Sequence, residues 1–488
     1  MKRREFVRLI ATGAVVGAAS TAWTLETEST GPFVRGWVVS DGKPLANAIV
    51  SNGRQLTRTD AAGHYSLPTG PDAGRFLFVC CPRGHWTNDF YRSIDEAVRT
   101  GKADFALQSV SQSDRFDFVF AADLSNLGNA SQEIGRKKTK ASIAEICNLS
   151  PKPAFLWIQG DLGLRGDDGK RFLDCLKTAT IPIRVGIGNH EIMPSEPNPK
   201  AVYERLFGPT YYSFDWGPVH FVVLDGNKPA AHIRGNSLGT VEPRELAWLE
   251  ADLAAQPAGK PIIVGVHIPI VSTYADRRSD LKETEGPFWQ SANRSKVTTL
   301  LARYGVRLVL QGHVHENERT TQDGVEYVES VSLCGRWWKS GAGFERATDD
   351  SPRGYRIVSV DGHQIRHRYQ SSCESRVDRQ GEFMKLPKTV RRNNKTSFVF
   401  NCYDAPNGSK ASARLDDGPW HEMRSVILHD SGMKKPHHWR WTTDTTSLAA
   451  GRHAIEARVI WPDGTTVREA SSFRVGEPPR DGQSREKP

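Results

Sequence analysis

With 488 residues, 38% of them apolar and 13 Trp and 20 Phe among them, the chain is too long for one compact domain and too rich in core-forming side chains to be disordered. Its formal charge of +9 is dilute, since four basic residues against one acid in the first 22 positions leave +6 for the rest, with no dense basic run. That balance argues against nucleic acid as a partner and for a mild attraction toward anionic small molecules or envelope surfaces.

The first predicted element is a targeting segment. "KRREFVRL" sets Arg3 and Arg4 ahead of Phe6, and the weakly apolar "IATGAVVGAASTA" of 13 residues is too short for a stop-transfer helix. Residues 1–22 thus resemble a twin-arginine export signal with a small-x-small site at Ser20 to Ala22, which implies a periplasmic or extracellular protein. No later stretch approaches the roughly 18 apolar residues of a membrane span, so none is expected once the signal is removed.

Residues 33–110 read as a β-sandwich of short alternating runs, with "SDGK" and "TDAAGHY" as turns; "TDAAGHYSL" resembles the turn of carboxypeptidase regulatory-like modules. From 114 to 364 the pattern changes to alternating strands and helices. "FDFVFAAD", "AFLWIQGD", "IPIRVGIGNHE", "VHFVVLDG", "PIIVGVHIP" and "VRLVLQGHVH" are strands apolar on both faces, and "KKTKASIAEICNL", "GKRFLDCLKTA", "PRELAWLEADLAAQ" and "SKVTTLLARYG" are helices. This is a layered α/β domain. Strands return in residues 365–475, with "DDG" and "PDG" hairpin signals marking a second β-sandwich, and residues 476–488 form a loose, proline-rich tail. Seven cysteines without a CxxC pair support neither a zinc ribbon nor a dense disulfide framework; a Cys373–Cys402 pair stays open, with buried free thiols the commoner state.

The strands of the middle domain end in residues of metal-ligand type: Asp123, Asp161, Asn189, His267, and the closely spaced His313 and His315 of "LVLQGHVHENE". Loops beyond the carboxyl ends of strands in α/β sheets converge on one crevice, so these distant positions are expected to meet. Carboxylate, carboxamide and imidazole together suit Mn, Fe or Zn rather than the all-oxygen shells of Ca or Mg.

In order and in flanking strands, "GD" at 160–161, "GNHE" at 188–191, "HIP" at 267–269 and "GHVH" at 312–315 resemble the calcineurin-like metallophosphoesterases. The β modules on either side, "DSPRGY" at 350–355 and "HHWRW" at 437–441 are similar to the subgroup with N- and C-terminal companion domains. The resemblance implies a central two-sheet sandwich flanked by helices, with a β-sandwich on each side, and two metal ions used to hydrolyse a phosphate monoester or diester by attack of a bridging hydroxide. Carried over, Asp161 bridges the metals, Asn189, His267 and His313 complete one site, and Asp123 and His315 belong to the other. His190 lies over the nucleophile as the catalytic group, with Glu191 orienting it. Ser125 stands where the family's Asp-x-His motif has histidine, which favours a competing reading as a degenerate envelope-binding scaffold. Arg336, Trp337 and Trp338 follow the histidine pair and are candidates for contacting a small phosphorylated substrate.

Overall fold

The computed structural model describes residues 33–124, 132–164, 168–231, 234–278, 281, 286–335, 346–372, 379–427 and 434–476. The export segment, Ser125, Arg336, Trp337, Trp338, Cys373 and the tail beyond Gly476 lie outside the described residues. Among those described, no helix is long and apolar enough to cross a membrane, and six cysteines are free, buried thiols.

Two sheets face each other in the middle of the chain. The first runs Ile183–Gly186, Leu156–Gln159, Arg115–Ala122, Gly354–Asp361, Gln364–Ser371, its first three strands parallel and its last two antiparallel. The second runs Tyr212–Trp216, Val219–Val223, Ile262–Val266, Leu308–Gln311, Val325–Glu329, Glu318–Gln322, with its four inner strands parallel. Alternation within each strand explains the continuous apolar runs. In the first sheet Phe118, Phe120, Phe155 and Trp157 face the second, where Phe118 and Trp157 meet Phe221 edge-on at 5.2 and 6.1 Å. Val119, Ala121, Leu156 and Ile158 face the other way, onto Ile143 and Ile146 of helix Gln132–Cys147.

The N-terminal strands form a five-stranded and a four-stranded sheet whose interior is continuous with this core: Phe78 packs on Trp248 and Trp86 on Trp216, at 5.9 and 5.2 Å. Between them lies a helix, Ile94–Thr100, within a segment the alternating pattern assigned to strands. Its signals are local: Ser93 accepts from Glu96 N at the start, Asp95 and Glu96 fill the first turn, and Gly101 closes the end at φ 70°.

At the other end of the domain, Gln364–Ser371 pairs with Gly354–Asp361 along its whole length, so the first sheet extends one strand past the change of pattern at 364. The C-terminal strands then build a four- and a five-stranded sheet around Phe398, Phe400, Trp441, Ile455 and Phe473. Their contact with the middle domain combines a small apolar cluster, Val331, Ala347, Tyr369 and Tyr403, with a buried polar network. Arg356 reaches Asp404 at 2.9 Å and donates to His367 Nδ1 at 3.0 Å, leaving His367 Nε2 facing Glu326 at 3.1 Å. Burial opposes charge on Glu326, but His367 and Arg319 outweigh it and bring its carboxyl down to about 2. Asp349 is likewise brought down to about 2, burial being overcome by His437 and the N–H groups of Asn317 and Ser351.

Folded-state values depressed below the ordinary range stabilise the protein above about pH 4 and cease to do so as pH falls through about 2, by about 2 kcal/mol each. Urea unfolding midpoints are therefore expected to hold between pH 7 and 5 and to drop between pH 4 and 2, with E326Q flattening part of the drop. Midpoints independent of pH across that window would contradict it.

Candidate metal centre

Six side chains from both sheets converge where the parallel strands end. Asp123, Asp161 and Asn189 follow strands of the first sheet, and His267, His313 and His315 follow strands of the second; none is more than 2% exposed. The chain turns sharply at four of them, with Asp123 and Asp161 at φ 54°, His313 at 75° and His315 at 56°. Left-handed backbone in non-glycine residues costs about 1 kcal/mol or more each and persists only where the surroundings enforce it. This turn answers the spacing of the histidine pair. Val314 N donates to Gly312 O at 2.9 Å, and the two rings enter the crevice from different sides: His313 lies against His267 at 5.3 Å, whereas His315 Nε2 is 3.1 Å from Asp123 Oδ1.

The glycines of the motifs have a steric reason. A Cβ on Gly160 would lie 2.3 Å from His267 Nδ1, and one on Gly188 would lie 2.4 Å from Asp161 N. Only a bare backbone lets the turns close this tightly.

Two of the imidazoles are held in one tautomer by backbone carbonyls, which only accept. His267 Nδ1 donates to Gln159 O at 3.1 Å and His315 Nδ1 to Gly335 O at 2.8 Å, so each Nε2 presents its lone pair inward. His267 Nε2 thus faces Asp161 Oδ1 at 3.1 Å and Asn189 Oδ1 at 3.2 Å. On the other side, ligand atoms of Asp123, Asp161 and His315 all lie within 4.8 Å of one another. Asp123 Oδ2 accepts from His313 N and Asp161 Oδ1 from His190 N, both at 3.1 Å. Among the described residues, the remaining oxygens, Asp123 Oδ1 and Asp161 Oδ2, have no hydrogen-bond partner, and neither has either ring nitrogen of His313. Buried lone pairs facing one another are unfavourable without a cation between them, so the donor set fits metal ions.

The electrostatics agree. Burial works against charge on Asp161, yet His190, His267 and His313 hold its carboxyl well below the usual range. Burial also opposes charge on His267, but Asp161 and Asp123 raise it to about 9; Asp123 raises His315 in the same way. His313, buried beside His267, is driven well below its ordinary value. Two carboxylates in a closed pocket attract positive charge, from a metal or from protons.

His190 sits at the mouth, its side chain 26% exposed, with Nε2 3.7 Å from Asp161 Oδ2. The expectation that Glu191 acts with it needs correction. Glu191 is fully buried, and its oxygens accept from four backbone N–H groups: Leu162 (2.8 Å) and Gly163 (3.2 Å) on Oε1, Asp161 and Gly188 (both 3.0 Å) on Oε2. Burial and the charge of Asp161 push its carboxyl up to about 8, but only the ionised form can accept from all four donors, and that form fits the site. Glu191 ties the Asp161 turn to the Asn189 turn; it is a positioning residue. Sequence reading also missed Phe288 and Trp289, which wall His313 at 4.7 and 5.6 Å; the adjacent aromatics of "GPFW" were their only signal.

Family profiles match in three consecutive parts: "N terminal of Calcineurin-like phosphoesterase" over residues 33–110, "Calcineurin-like phosphoesterase" over 116–317, and "C terminal of Calcineurin-like phosphoesterase" over 326–461. The chain belongs to the calcineurin-like phosphoesterases. It is 30% identical over 257 residues to serine/threonine-protein phosphatase CPPED1 of Homo sapiens, covering 50% of this chain and 75% of that one. It is 33% identical over 184 residues to purple acid phosphatase 23 of Arabidopsis thaliana, 35% of each chain. It is 27% identical over 206 residues to a probable glycerophosphodiester phosphodiesterase GpdQ of Arcobacter nitrofigilis, 39% of this chain and 67% of that one. The calcineurin-like phosphoesterase family uses metal ions, and the Asp and His groups described above are of the type that binds them.

Proposed function

We propose that the chain is an exported phosphoric ester hydrolase that holds two metal ions and acts on a small phosphate monoester or diester. One observation carries the reading: Asp161 stands between two donor groups, His267 and Asn189 on one side and Asp123 and His315 on the other, all buried at the ends of parallel strands. Asp161 would be shared by both ions, Asn189, His267 and His313 would complete one site, and Asp123 and His315 the other. Mn, Fe or Zn bound there would supply Lewis acidity, activating water and neutralising phosphoryl oxygens. Gln159 O and Gly335 O keep the imidazole lone pairs aimed inward, and Glu191 keeps the Asp161 turn in place. His190, partly exposed beside Asp161, would hydrogen-bond a phosphoryl oxygen or give a proton to the leaving alkoxide.

Metal analysis of the purified protein, followed by hydrolysis of p-nitrophenyl phosphate and its bis ester with Mn or Zn, tests the reading. Bound metal and turnover of either ester support it; no metal and no turnover would favour the scaffold alternative. H190A is expected to keep its metal while kcat falls by about 100- to 1,000-fold. Unchanged kcat in H190A would remove His190 from the chemistry.

A further inference from the structure

Behind His315 the chain makes contacts that lead into the C-terminal domain. Thr348 N donates to His315 O at 3.1 Å, and Thr348 Oγ1 to His315 O and Val314 O at 2.7 and 3.0 Å. The next residue, Asp349, accepts from Asn317 N at 2.8 Å and from Ser351 N at 2.9 Å, so the stretch 348–349 grips the histidine turn on both sides of Glu316. Asp349 is itself held from the C-terminal sandwich. Asn401 Nδ2 donates to Asp349 O at 3.0 Å, which orients the amide so that its Oδ1 accepts from His437 Nδ1 at 2.7 Å. His437 Nε2 meets Asp349 Oδ2 at 2.9 Å. Asp349, His437 and Asn401 thus form a closed hydrogen-bonded linkage in which no member is exposed. The geometry of a buried linkage of this kind is demanding, because each polar group in it has few alternative partners.

We infer that the C-terminal domain is a working part of the metal centre: Asp349, His437 and Asn401 are positioning residues that set the left-handed turn carrying His315, and through it the affinity of the site for metal. The inference rests on the metal-binding reading above. Polar groups behind a ligand are commonly worth about 10- to 100-fold in metal affinity.

Cobalt(II) serves as the probe, with calorimetric Kd and visible absorption as readouts on the full chain. H437F, which keeps the ring shape and removes both ring nitrogens, is expected to weaken cobalt binding about tenfold or more and to alter the spectrum. H437Q, which keeps an N–H toward Asp349, is expected to recover most of that loss. N401A, which leaves His437 in place and removes the amide that bonds Asp349 O and His437, is expected to weaken binding by about threefold to tenfold, and it carries the test if H437F does not fold. N407A removes a different contact between the same domains, Asn407 Nδ2 to Thr320 Oγ1 at 2.8 Å, and is expected to leave Kd unchanged. Wild-type binding that H437F and N401A both leave unaltered overturns the linkage alone, as does equal weakening by N407A. Wild-type protein that takes up no cobalt overturns the metal reading and the linkage with it.

Discussion

Asp161→Asn is expected to fold, to lose bound metal, and to hydrolyse p-nitrophenyl phosphate about a thousandfold or more slowly than the wild type. Asparagine tolerates the left-handed φ of 54° at this position, and its carbonyl can still accept from His190 N, so the turn has no reason to collapse. What changes is the other side of the group. Asp161 Oδ2 is buried without a hydrogen-bond partner, and an NH2 in its place would present protons where a lone pair now stands and remove the carboxylate charge on which the proposed metal centre depends. Metal content by mass spectrometry and kcat under saturating Mn decide it. Retention of full metal with activity within tenfold of wild type would remove Asp161 from the centre.

The second large effect concerns Glu191. Truncation in Glu191→Ala strands four buried backbone N–H groups and is expected to lower stability by about 4 kcal/mol, with metal lost as the Asp161 and Asn189 turns separate. Glu191→Gln discriminates charge from shape. Its single carbonyl can serve only two of the four donors, while its NH2 faces the other two, so it is expected to resemble the alanine variant rather than the wild type. Urea unfolding and metal content measure both effects. A glutamine variant with wild-type stability and full metal would mean that the loops hold themselves together without the carboxylate.

Much of the architecture was legible because burial on both faces leaves a plain mark. Runs such as "FLWIQ" and "IIVGV" have no polar side to hide, and sandwiching between a helix layer and a second sheet is the environment that requires such strands. The candidate ligands stand out for a related reason: Asp161 or His313, one glycine past an apolar strand, interrupts a pattern that packing alone would continue. The helix at Ile94–Thr100 was passed over although Ser93 and Gly101 announce it, since its seven residues are too few for a helical period to stand out against neighbouring strands. The strand Gln364–Ser371 was separated from its sheet because its first residues alternate with solvent, as an edge strand's do.

The role of Glu191 had no sequence signal at all. Its partners are backbone N–H groups, which every residue but proline carries, and which become specific only when two loops are folded against one another. The same holds for Asp349 and His437, 88 positions apart and meeting across a domain boundary. By itself the sequence determined which residue types stand at the strand ends, and with them the family and the chemistry available. Only the tertiary structure decided which lone pairs point inward and which turns are held, because those depend on backbone groups that all sequences share and on φ angles that no residue type dictates.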